Sequence, residues 1–181
     1  MVHANRTIGA DLAGSGIDGP GTGLRGQLAR HALLPLRLFL GVTFLYAGID
    51  KLTDRAFLAA GGAGSLGEML QQVHDAAALP QLVDLAQKSP VGFGYAIAAG
   101  ELAVGLGTLV GLLGRLAAFG GALISLTLWL TVSWATTPYY YGNDLAYLMA
   151  WLPLVLAGTP RFSLDAALAN RRTRHGAQLF G

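Results

Sequence analysis

The sequence predicts an all-α fold, a polytopic membrane bundle of four helices with an amphipathic helical outer loop between spans one and two. Apolar residues make up 53% of the 181-residue chain and charged residues only 12%, whereas about 25% of a typical soluble domain is charged. Four apolar segments also follow one another, and the first three reach the roughly 20 residues that a membrane-spanning helix needs. The net charge of +2 gives no indication of a nucleic-acid partner.

Each predicted span is an apolar run bounded by polar or turn-forming residues. The first covers residues 32–52, the second residues 90–113 and the third residues 116–136. The fourth has its apolar core at residues 145–157 and, because that core is short, we expect it to extend back through the preceding tyrosines. Pro153 lies inside it and should kink it, since proline removes a backbone donor and clashes with the preceding turn.

The ends of the chain differ in composition from this core. Residues 1–30 are polar and rich in glycine, so we expect a disordered tail, and residues 169–181 form a basic tail after a four-span domain at 31–168. Arginines lie in both end regions, and Arg115 lies in the short link between spans two and three. Because an excess of Lys and Arg marks the cytoplasmic side, both termini are predicted to be cytoplasmic.

The long loop after the first span contains a helical pattern of its own. Apolar residues recur at helical spacing from Leu66 to Ala77, with polar residues between them, and Pro80 opens a second short helix. Such helices either lie on the outer surface of the bilayer or cover a cavity between the spans.

Glu101 is the most unusual residue of the spans, because residues 90–113 contain no other charge. A carboxylate at that depth is costly and must face a protein interior and find a partner. At about 1.5 Å per residue, Arg37 lies about 6 Å from Glu101 in depth and Lys51, at the outer end of span one, about 15 Å. We therefore expect an Arg37–Glu101 interaction, which is either a structural ion pair or part of a working site that holds a quinone, an ion or a proton.

Aromatic residues gather toward the outer boundary. Trp129 and Trp134 lie in the outer half of span three, and tyrosines follow at 139–141. They form either an interface belt or a stacking mouth for an aromatic head group. All four histidines lie outside the spans, and the chain has no cysteine, so no haem, iron–sulfur cluster or metal site is predicted.

Four segments of the chain resemble a known family. The first span reads RLFLGVTFLYAGIDKL from Arg37, the second reads GELAVGLGTLVGLLGR from Gly100, and the chain later reads GNDLAYL from Gly142 and AGTPRFSLD from Ala157. Over about residues 32–168 these segments resemble the DoxX/DoxD family of small four-helix bacterial membrane proteins. The helical outer loop is more similar to the DoxD type, the membrane subunit of thiosulfate:quinone oxidoreductase.

The resemblance implies a multi-pass subunit in the plasma membrane of a bacterium, which passes electrons from thiosulfate or another small reductant to membrane quinone beside a partner redox subunit. On this interpretation Glu101 and Arg37 are the catalytic candidates, and Tyr46, Lys51 and Trp129 are the cofactor-binding candidates. Two alternatives stay open: a non-catalytic membrane organiser that recruits redox or stress-response proteins, and a small transporter. Span two has one face of small residues at Ala99, Ala103, Gly107 and Gly111 and a second at Gly94, Ala98 and Gly105, which also allows a homo-oligomer.

Overall fold

The computed structural model describes residues 31–158, so the predicted tails at 1–30 and 169–181 lie outside the described residues. Between 31 and 158 the regular structure is entirely helical, with six α-helices and no strand, which confirms the all-α prediction. The helices are α1 (Leu34–Thr53), α2 (Leu66–Val73), α3 (Pro80–Gln87), α4 (Pro90–Val110), α5 (Gly114–Thr131) and α6 (Asn143–Ala157). Short 3-10 turns cover His74–Ala76 and Tyr139–Tyr141.

Two helices, α4 and α5, are long and apolar enough to cross a membrane. The helix α6 is apolar but shorter, with 15 residues, and the 20 residues of α1 include Arg37, Asp50 and Lys51. The expected extension of the fourth span through the tyrosines is wrong. Those residues form a separate 3-10 turn, and α6 begins only after Gly142.

Helices α1 and α4 pack against each other in antiparallel register through glycines. A Cβ atom added to Gly105 would lie 2.6 Å from the backbone nitrogen of Leu45, and one added to Gly48 would lie 2.8 Å from the carbonyl oxygen of Ala98. The two backbones therefore touch, as small residues allow in helix pairs. This contact fixes which residues of α1 and α4 lie at the same level.

The main core lies between α1, α4, α5 and α6. Trp151 of α6 is fully buried, and its ring occupies the space that a side chain at Gly121 of α5 would need. Phe44 of α1 packs edge-to-face on that ring, with the centroids 5.0 Å apart. The remaining buried residues of this core are Leu40, Val104, Ala118, Ala122 and Leu154.

The helices of the long loop, α2 and α3, dock on the same end of the bundle, which we call the loop end. Ser65 caps α2 by accepting a hydrogen bond from the Glu68 N–H at 3.2 Å, and the Glu68 carboxylate accepts one from the Gly64 N–H at 2.8 Å, as in a capping box. Apolar residues of α2 and α3 form a second core with Phe93 at the start of α4. The backbone N–H of Ala78 also donates to the carbonyl of Leu130 in α5 at 2.9 Å, which ties this loop to the bundle.

Candidate functional site

The buried carboxylate of Glu101 forms an ion pair with Lys51. The Lys51 ammonium nitrogen lies 2.9 Å from each carboxylate oxygen and donates a hydrogen bond to Oε1. The Glu101 side chain is 4% exposed and that of Lys51 is 24% exposed. The acid is therefore buried, whereas its lysine partner is partly accessible. The other oxygen, Oε2, lies at ion-pair distance but receives no directed hydrogen bond.

The expected Arg37–Glu101 interaction is wrong. Arg37 is buried at the other end of α1, where its Nε donates to the carbonyl of Thr108 and its Nη2 to the carbonyl of Leu109, both at 2.7 Å. These carbonyls belong to the last turn of α4, which has no further helical donors for them. Arg37 therefore stabilises a helix end, about two turns from Glu101 along α4.

The register of α1 and α4 explains why the depth estimate failed. A Cβ on Gly48 would contact both Ala98 and Leu102, so Gly48 lies level with about residue 100 of α4. On that register Lys51 lies roughly 6 Å from the level of Glu101 and Arg37 roughly 15 Å, the reverse of the expectation. The estimate placed the two helices at one common boundary, whereas the first turn of α4 extends past the end of α1 to pack against α2 and α3.

A cavity of about 210 Å³ lies beside this ion pair at the loop end. Its walls come mostly from apolar side chains of α2, α3 and α4, such as Leu70, Val83 and Phe93, so the loop helices cover a cavity. Lys51 and Asp144 are its charged lining residues. An apolar chamber with a few polar groups is the usual form of a small-molecule site, and this volume suits a ring-sized group rather than a large ligand.

Asp144 is the site residue that the sequence did not place beside Lys51. It lies in the first turn of α6, and the Ser133 hydroxyl donates a hydrogen bond to its Oδ2. Gly142 permits this arrangement, because a Cβ there would lie 2.9 Å from the Cβ of Ser133. In the sequence Asp144 follows Gly142 and Asn143, just before the apolar core at 145–157, and an acid in that position is equally typical of a plain helix cap.

The other predicted cofactor-binding residues lie elsewhere. Tyr46 is 70% exposed on α1, and the ring of Trp129 packs on Trp134 with centroids 5.3 Å apart. Neither residue lines the cavity. The structure thus brings Glu101 and Lys51 together at the loop end, places Arg37 at the other end of α1, and leaves Tyr46 and Trp129 outside the cavity lining.

His74 forms hydrogen bonds that link the turn after α2 to α3; we call this contact the histidine bridge. The His74 ring lies 2.8 Å from an oxygen of Asp75 through Nδ1 and 2.9 Å from an oxygen of Asp84 on α3 through Nε2. Hydrogen bonds to these two carboxylates raise the pKa of His74 above its usual value. Within residues 31–158, no group of three or more His, Cys, Asp or Glu side chains is placed to hold a metal ion.

The fold and site define a helical membrane protein with a buried ion pair next to a covered apolar cavity. Residues 32–179 match the family model described as "TQO small subunit DoxD". The match covers most of the chain, so the chain belongs to the DoxD family, which confirms the resemblance seen in its sequence. Comparison with curated proteins and with solved structures gives no match.

Proposed function

We propose that this chain is the membrane subunit of a quinone-linked oxidoreductase and that its cavity at the loop end holds the quinone head group. The family description supports a subunit role. The observation that carries the quinone assignment is the mostly apolar cavity with the Lys51 ammonium in its wall and the buried Glu101 behind it. In this proposal α1, α4, α5 and α6 all cross a bacterial plasma membrane, with both termini cytoplasmic.

The chemistry of the cavity matches a quinone ring. Such a ring is flat, neutral and mostly apolar, which suits walls that include Phe57 and Phe93. Its carbonyl oxygens accept hydrogen bonds, and an ammonium group has three N–H donors, of which Glu101 needs only part. Lys51 can therefore hold Glu101 and orient a ligand carbonyl at the same time.

A bound quinone would supply the two-electron chemistry. Its reduction consumes two protons and two electrons, and a lysine in contact with a buried carboxylate can hold and pass a proton at Nζ. The electrons would come from thiosulfate or another small reductant, through a partner redox subunit. In this proposal Glu101 relays the proton together with Lys51, rather than with Arg37.

The test is a titration of the detergent-purified protein with a short-chain ubiquinone analogue. Lys51→Met should weaken binding roughly tenfold or more, since a hydrogen bond from a charged donor contributes about 1.5–3 kcal/mol. Tyr46→Phe is the matched control and should bind as the wild type does. If the folded wild-type protein binds no quinone, the proposal fails and the non-catalytic membrane organiser becomes the better account.

A further inference from the structure

The charges around the cavity do not balance. Lys51 and Asp144 line the cavity with one positive and one negative charge. Glu101 is not a lining residue, but it adds a negative charge behind the wall through its ion pair with Lys51. The formal sum is therefore +1 − 1 − 1 = −1. The other lining residues are uncharged, so nothing within the cavity wall compensates for this excess.

Two local features of Asp144 favour its ionised form. The Ser133 hydroxyl donates a hydrogen bond to it, and its position in the first turn of α6 puts it near the positive end of a helix dipole. Gly142 brings the chain close enough to Ser133 for this contact. These features stabilise a carboxylate that faces the same cavity as Lys51.

We propose that Asp144 excludes anions from the cavity, so that Lys51 serves a neutral ligand and any anionic reductant binds outside the cavity. A lysine alone in an apolar pocket would attract anions strongly. Glu101 cancels that attraction and Asp144 reverses it, while a neutral ring is affected far less. The assignment of the neutral ligand to a quinone rests on the proposed function, but the exclusion of anions rests only on the charges.

A graded set of variants tests this inference by counting charges. Thiosulfate and sulfate would be titrated calorimetrically into the detergent-purified full chain at constant ionic strength. The variants are Asp144→Asn and the double variant Asp144→Asn/Glu101→Gln. Asp50→Asn is the matched control, because Asp50 is exposed and adjacent in sequence to Lys51 but does not line the cavity.

The wild-type protein and the Asp50→Asn variant should show no saturable anion binding. Each negative charge removed at or behind the cavity wall should lower the Kd for the anion roughly tenfold. The double variant should therefore bind the anion most tightly. Asp144→Glu, which keeps the charge, should exclude anions as the wild type does. Unchanged thermal melting of each variant would show that it is folded.

The inference is overturned if thiosulfate binds saturably to the wild type and displaces the quinone analogue, or if folded Asp144→Asn excludes anions as well as the wild type does. The anion titration needs no quinone, so it stands apart from the test of the proposed function. A wild type that binds neither ligand, together with an Asp144→Asn variant that gains anion binding, would refute the quinone assignment and support the role of Asp144.

Discussion

Replacing Lys51 with methionine tests the central ion pair, because methionine keeps an unbranched, apolar side chain and lacks the ammonium group. The Glu101 carboxylate, 4% exposed and 2.9 Å from Nζ through both oxygens, would then be buried without its cation. Removing one partner of a buried pair costs about 3–5 kcal/mol. Since 24% of the Lys51 side chain is exposed and water can reach that side, we expect the lower end, about 3 kcal/mol.

The assay is equilibrium unfolding in mixed detergent micelles, followed by circular dichroism. The double variant Lys51→Met/Glu101→Gln should regain about 2 kcal/mol of the loss, because it no longer buries an unpaired charge. Lys88→Met, which removes an exposed lysine, is the matched control and should stay within about 0.5 kcal/mol of the wild type. A double variant as unstable as Lys51→Met alone would refute the reasoning.

Three further predictions concern packing, the helix end and pH. Gly105→Ala should cost about 1–3 kcal/mol, because its Cβ would lie 2.6 Å from a backbone nitrogen of α1. Gly100→Ala, whose Cβ meets nothing nearer than 3.5 Å, should be neutral, and equal thermal melting of both would contradict the close helix contact. Arg37→Met should lower the free energy of unfolding by about 1.5–3 kcal/mol per lost charged hydrogen bond. It should show no coupling with Glu101→Gln in a double-mutant cycle. A coupling energy above about 0.5 kcal/mol would indicate that Arg37 and Glu101 interact after all. The raised pKa of His74 means that its stabilisation of the loop is complete below the usual value of about 6.5 and lost as pH rises through the higher folded value. Amide hydrogen exchange in α2 and α3, corrected for intrinsic rates, should show a loss of protection with rising pH in the wild type but not in His74→Gln. Identical pH profiles of the two proteins would contradict a stabilising role for the His74 hydrogen bonds.

Much of the helical structure was readable from local patterns. Apolar runs predicted the helices α1, α4 and α5 to within a few residues, and the amphipathic spacing near Leu66 predicted the helix α2 in the loop. The tyrosines at 139–141 were misplaced because the apolar core at 145–157 is short for a span and the prediction lengthened it toward them. The break at Gly142 depends on its close approach to Ser133. That approach joins the end of α5 to the start of α6, and no local pattern encodes it.

The sequence by itself determined that a carboxylate lies inside an apolar helix and needs a partner, because the cost of burying a charge depends on the burial of that residue alone. Which cation pairs with it was decided only by the tertiary structure. The stagger of α4 against α1 comes from backbone contacts at Gly48 and Gly105 and from the packing of the first turn of α4 against the loop helices. The glycine contacts join residues about fifty or more positions apart, so neither helix alone specifies the level of Lys51 relative to Glu101.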